Sequence, residues 1–260
     1  TLTPGLRYEN ITLTRTDYGT SDPNRTGQDL AIRENKVDVW IPGIGANYRF
    51  NNYISIFGGV HKGFSPPSNT QGQNAEESIN YELGSRFGFK GLSGEIVGFY
   101  NDYQNLLGSD LAATGGTGSL DQFNAGEVRV SGIELSLNYN LLQNTSKKYK
   151  LPISISYTFT DTEFLTSFES NEDIYGLVTK GDEIPYIAKN QLNARLGLQH
   201  QRFEVNLNSR YTSAFRTQAG SGPIPENFKV DSNFIVDLSA LYFIDKNITL
   251  SSNIMNLFNS

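Results

Sequence analysis

His61 and His200 are the only histidines in a chain of 260 residues that carries no cysteine. Without Cys there is no disulfide, no thiolate metal ligand and no Cys nucleophile. No His, Asp and Glu cluster has the spacing of a metal site, and no set of residues forms a catalytic constellation, so neither role is assigned to any residue. Paired carboxylates such as Glu76-Glu77 lie in polar stretches and read as solvated. The chemistry left is recognition. Planar guanidinium forks match carboxylates, while ammonium and amide groups add further donors. Arg33, His61, Lys62, Gln122, Arg129 and Arg216 offer such donors in or beside long polar connections, which makes them the candidate ligand-binding residues if the ligand is an anionic chelate.

The elements that must hold these donors read as β-strands. Leu2, Pro4, Leu6 and Tyr8 alternate with Thr3, Gly5, Arg7 and Glu9, and Tyr81, Leu83, Phe87 and Phe89 alternate with Asn80, Glu82, Gly84 and Arg86. The same period of two runs through Trp40 to Tyr48, Ile133 to Tyr139, Ile153 to Phe159, Leu192 to Leu198, Phe203 to Leu207, Phe234 to Tyr242 and Ile248 to Ile254. Alternation at that period gives each strand one apolar face and one wet face. Two further runs have no clean facing: Ile54, Ile56 and Val60 compete with Tyr53 and Phe57, and Ile96 and Tyr100 compete with Val97 and Phe99. Eleven strands result.

Connections sort by length. Long ones follow the odd strands, from about Arg15 to Asn35, Gly63 to Glu77, Asn105 to Gly126, Leu165 to Ile184, and around Pro223 and Pro225. Short ones follow the even strands, and Asn51-Asn52 is read as a tight turn because Asn tolerates left-handed backbone. A soluble sandwich has no reason to sort its loops this way, whereas a membrane barrel does. The fold expected is therefore all-β: a transmembrane antiparallel up-and-down β-barrel, with Arg7, Arg49, Glu82, Arg86, Glu134, Arg195, Glu204 and Arg210 lining a wet or plugged lumen. No apolar run is long enough for a spanning helix. A net charge of -6 and the lack of any Lys/Arg cluster argue against nucleic acid as a partner. TLTPGLRYEN lacks the pattern of a signal peptide, and the chain is read as beginning inside a longer one.

Six fragments carry a resemblance. Lys62-Gly63-Phe64-Ser65-Pro66-Pro67, Glu77-Ser78-Ile79-Asn80-Tyr81-Glu82-Leu83-Gly84 and Phe99-Tyr100-Asn101-Asp102-Tyr103-Gln104-Asn105 come first. Asn124-Ala125-Gly126 with Ser131-Gly132-Ile133-Glu134-Leu135, then Gly181-Asp182-Glu183-Ile184-Pro185, then Asn253-Ile254-Met255-Asn256-Leu257-Phe258-Asn259 complete the order. Together they resemble the TonB-dependent outer-membrane receptors, with Gly59 to Pro67 most similar to the ferric-citrate receptor branch. The resemblance implies a plugged barrel of about 22 strands, of which residues 1–260 supply about half, with the plug domain and last strand absent from this chain. It implies an outer-membrane receptor of a Gram-negative bacterium for energy-coupled import of a ferric chelate, ferric citrate or another siderophore, with no cofactor and no enzymatic activity. Partners implied are the chelate, outer-membrane lipid and the TonB-ExbB-ExbD complex, reached through a segment not in this chain. A passive porin, or an importer of a non-iron ligand such as a glycan or cobalamin, is the alternative.

Overall fold

The computed structural model describes residues 1–67, 74–106, 126–143, 145–146, 148–170 and 174–259. Its strands are β1 (Leu2–Asp17), β2 (Ala31–Arg49), β3 (Ile54–Ser65), β4 (Glu76–Phe89), β5 (Leu92–Gln104), β6 (Val128–Asn140), β7 (Tyr149–Lys150) and β8 (Pro152–Phe164). Then follow β9 (Phe168–Glu169), β10 (Leu177–Val178), β11 (Asn190–His200), β12 (Phe203–Thr212), β13 (Phe215–Arg216), β14 (Lys229–Val230), β15 (Asn233–Phe243) and β16 (Thr249–Ile254). One sheet runs β1-β2-β3-β4-β5-β6-β8-β11-β12-β15-β16, each strand antiparallel to its neighbours. β7 pairs with β11 below β8, so the short β7 and the longer β8 share one lane. These are the eleven strands read from periodicity, in an open sheet whose edges are β1 and β16.

Register settles the faces. Residues directly opposite in a ladder share a face, and one row reads Leu83 opposite Gly58 and Gly98, the next Tyr81 opposite Val60 and Tyr100. The apolar face is bare: Leu83 is 66% exposed, and no second sheet covers Tyr81, Leu83 and Phe87 among the described residues. Its band is of limited height. On β2 it runs from Tyr48 to Trp40 before Asp38 takes over, and on β5 from Leu92 to Tyr100 before Asp102. About nine residues is the length a tilted strand needs to cross hydrocarbon.

The two ambiguous strands resolve through glycine. Phe57 lies on the polar face against Gly84, where a Cβ would come within 2.4 Å of its ring, and Phe99 lies likewise against Gly132 at 2.7 Å. Ile56, Val60, Ile96 and Tyr100 therefore belong to the apolar face. Aromatic rings laid over glycine put apolar side chains on the polar face, which is why hydropathy alone gave both phases.

Strands overrun the expected loops. β1 and β2 pair as far as Asp17 opposite Ala31, while the β2–β3 ladder ends at Gly43 opposite His61. Above the apolar band a ladder needs no hydrophobic face, so polar residues continue it without an alternation signal. The Asn51-Asn52 turn forms by another means than the one expected. Neither residue has positive φ; the Asn51 side-chain oxygen instead accepts from the Tyr53 and Ile54 amides at 2.8 and 2.9 Å.

Candidate functional site at the long-loop end

The polar face carries a ladder of ion pairs: Arg7 with Glu9, Arg86 with Glu95, Arg195 with Glu204 at 3.1 Å and Arg210 with Asp237 at 3.1 Å. Arg86 also lies 3.9 Å from the centroid of the Phe57 ring. Glu82 and Glu134, exposed on the same face, have no ion-pair partner among the described residues. They are two uncompensated acids of that face.

At the long-loop end the chain builds a small core on that face. Val128 and Phe164 stand opposite each other on β6 and β8, and Leu106, Tyr175, Val178 and Ile184 pack on them. The connection after β8, with its β9–β10 hairpin, thereby folds over the inner side of the wall. Asp182 accepts from the Thr179 amide and hydroxyl at 2.8 and 2.9 Å and closes a turn that Gly181 permits with φ +96°. Next to it, Glu183 holds Arg216 at 3.0 Å and Lys189 at 2.9 Å. Glu183 above all, with Asp161, raises the Lys189 ammonium above its ordinary pKa. The Glu183 amide donates to the Gly220 carbonyl at 2.8 Å, so the connections after β8 and β12 are tied by backbone as well as by charge. Gly181-Asp182-Glu183-Ile184-Pro185 is thus a clamp between two long connections.

The structure separates the six candidates. Arg216 is buried at 3% exposure, held by Glu183 and donating to the Gly222 carbonyl at 3.0 Å; it is committed to the clamp. Lys62 and Arg129 lie on the apolar side. Lys62, Ile79, Asp102, Arg129 and Glu163 form one cross-strand row at the upper limit of the apolar band. There Lys62 pairs with Glu77 at 2.7 Å and Arg129 with Glu163 at 2.6 Å. His61 is on the polar face, exposed, opposite Asn80 and opposite Gly43, whose missing side chain makes room for it. Arg33 is also on the polar face, ten positions further along β2 than Gly43, or about 33 Å along the strand. These two are not brought together. Gln122 lies outside the described residues.

Arg15 was not among the candidates. It stands directly opposite Arg33 on the polar face of the β1–β2 ribbon, 3.5 Å from Asp17, while Arg33 has no ion pair among the described residues. Like charges directly opposite in a ladder destabilise it, and Asp17 beside Arg15 offsets part of that repulsion. The alternation that places Tyr8 with Trp40 fixes this pair, but only once the hairpin register is known. A dent of about 590 Å³ elsewhere in the wall, lined by Ile44, Gly58, Val60, Leu83, Gly98 and Tyr100, opens on the apolar face, and its surface is mostly apolar.

Comparison with known proteins agrees with this architecture. Residues 1–257 match the family described as TonB dependent receptor-like, beta-barrel. The chain belongs to this family. Over 197 residues it is 28% identical to the ferrienterobactin receptor of Escherichia coli (strain K12), covering 71% of this chain and 24% of that protein. The crystal structure of the siderophore receptor PiuA from Acinetobacter baumannii superposes with a TM-score of 0.74 at 20% identity, over 100% of this chain and 36% of that one. The unliganded ferric citrate transporter FecA does so with a TM-score of 0.70 at 18% identity, over 100% and 38%. The chain thus spans about a quarter of the curated relative's length and little more than a third of either solved structure. The fold is that of a TonB-dependent receptor barrel wall, transmembrane and all-β, and these homologues are receptors and transporters rather than enzymes.

Proposed function

We propose that this chain forms part of the wall of an outer-membrane receptor that imports a ferric chelate, ferric citrate or another siderophore, by coupling to the TonB-ExbB-ExbD complex. The observation that carries the proposal is the division of labour across one sheet. An apolar band of bilayer height occupies one face, and the other bears charges and, at one end, a folded cap of long connections. Membership of the receptor family, and relatives named for ferric enterobactin, a siderophore and ferric citrate, support the same reading.

The ligand meets the long-loop end first. Those connections carry twelve Asp and Glu against five Lys and Arg, so the overall field there does not draw in a polyanion. Binding of an anionic chelate therefore rests on local donors, with Arg15 and Arg33 as the pair that gains most from it. Deeper in the wall, Glu82 and Glu134 await basic groups of the plug, and release of those contacts accompanies opening of the channel.

The test is uptake of radiolabelled iron by a strain lacking the gene, complemented with the complete receptor or with its Arg33→Ser variant. Ferric citrate, ferric enterobactin and a cationic hydroxamate chelate are supplied separately. Uptake of one chelate is restored by the receptor, requires TonB, and shows an apparent affinity about tenfold weaker in the variant, the size of one charge-assisted contact. Restoration that persists without TonB would indicate a passive pore. Failure with all three chelates would remove iron from the proposal.

A further inference from the structure

The short-turn end has the opposite electrical character to the chain as a whole. Its connections carry Lys90, Lys147, Lys148, Arg202 and Lys246 against Asp245 alone, in a protein of net charge -6. One corner gathers this charge beside aromatic rings. Tyr149 of β7 stands opposite His200 of β11, their rings stacked with centroids 4.8 Å apart, and Phe203 of β12 flanks His200 at 5.0 Å. Lys148 lies immediately before Tyr149, its ammonium 5.8 Å from that ring. Arg202 sits in the two-residue turn after His200, and its amide donates to His200 Nδ1 at 3.3 Å. The Ser146 hydroxyl oxygen accepts from the Lys148 and Tyr149 amides at 3.2 and 2.9 Å, which fixes the other side of the corner. Lys148 and Arg202 are exposed, and neither has a carboxylate partner among the described residues. Tyr139, Phe203 and Tyr242 lie on the apolar face at this end, with Phe203 directly opposite Tyr242.

We propose that the corner formed by Lys148, Tyr149, His200 and Arg202 binds the headgroup phosphate of an anionic phospholipid in the leaflet at the short-turn side. Aromatic girdles settle at headgroup depth, with apolar ring in the chains and polar edge in water. Cations one or two residues beyond such a girdle stand at the phosphate level. Along the strands Arg7, Lys62, Arg86, Arg129, Arg195 and Arg210 are each matched to a carboxylate, whereas Lys148 and Arg202 are not, among the described residues. A zwitterionic headgroup brings its own ammonium and gains little from them, whereas an anionic lipid gains from both and presents oxygens to the Arg202 fork. The inference rests on the apolar face being the lipid face, as in the proposed function.

The complete receptor, reconstituted in nanodiscs of phosphatidylethanolamine with a minor fraction of phosphatidylglycerol, is released and its retained lipids are weighed by native mass spectrometry. Lys148→Gln/Arg202→Gln is compared with Lys90→Gln/Lys246→Gln, which removes equal charge elsewhere at the same end. Retained phosphatidylglycerol falls about tenfold in the first pair and stays near the wild-type value in the second. Equal retention in both, or an equal loss in both, overturns the site. Insertion into the nanodisc and iron uptake in cells are read in parallel. Receptor that inserts and transports but shows no corner effect refutes this inference alone, whereas receptor that fails to insert refutes the lipid-face reading along with it.

Discussion

The two ends of the wall solve the same problem, reversal of a strand, by different means. At the short-turn end side-chain oxygens do the work. Asn51 accepts two amides, and Asp245 accepts from Asn247 and Ile248 at 2.7 and 3.0 Å. Among the described residues of those turns none is buried. At the long-loop end the connections have a core, Val128, Phe164, Tyr175, Val178 and Ile184, and a charge network in which half-buried Glu183 holds buried Arg216. A turn of a few residues fixes few dihedrals, and one or two hydrogen bonds offset that cost. A connection of twenty or more residues loses far more conformational entropy on ordering, and only burial of side chains offsets it. The loops near the site are therefore shaped by packing, and the turns opposite them by local hydrogen bonds.

The contrast can be broken most severely at the clamp. Glu183→Gln leaves Arg216 buried with one charge unanswered, which costs about 3–5 kcal/mol at that end. Limited proteolysis and hydrogen exchange should show both connections, 165–189 and 213–232, opening while the turns at the other end stay protected. Next in size is the wall between the ends. Leu83→Arg puts a cation midway along the apolar band and should cost about 2–4 kcal/mol, read as a lower midpoint of urea unfolding in lipid vesicles. Asp245→Ala, at the short-turn end, removes two turn hydrogen bonds and should cost about 1 kcal/mol in the same measurement, without exposing any long connection.

The smallest effect is a pH dependence confined to the connection between β1 and β2. Asp22 is 4% exposed, and the Thr26 amide above all, with the Thr26 hydroxyl and the Gly27 amide, holds its pKa below the ordinary carboxylate range. A depressed carboxylate stabilises the folded loop above its unfolded pKa of about 3.9, and this contribution is lost as pH falls below that value through the folded one. Amide exchange or NMR of Thr26 and Gly27 should show protection constant from neutral pH to about 5 and falling below about 4. Asp22→Asn should remove most of the pH dependence. Loss of protection on raising the pH instead would contradict the assignment.

Much of this was open to reading in the residues. Because the side-chain period of a strand is two, Leu2-Leu6-Tyr8, Tyr81-Leu83-Phe87 and Ile133-Leu135-Leu137 each announced a strand and its lipid side. Arg129 follows the same parity as Ile133, four positions away, so its place on the apolar face was legible although it was grouped with ligand donors. Lys62 was not, since Phe57 over Gly84 disguised the phase of its strand. Arg216 looked like a free loop cation until Glu183, far off in the chain, was brought to 3.0 Å.

The sequence by itself determined the number of strands along the wall, their antiparallel order and the sorting of long from short connections, because alternation and turn composition are local properties. Only the tertiary structure decided which cations are spent on structure and which are free. It set Arg15 against Arg33, buried Arg216 in the clamp and gathered Lys148 and Arg202 at one corner. Those outcomes depend on ladder register and on contacts between distant connections, and a one-residue slip in register moves every side chain to the opposite face.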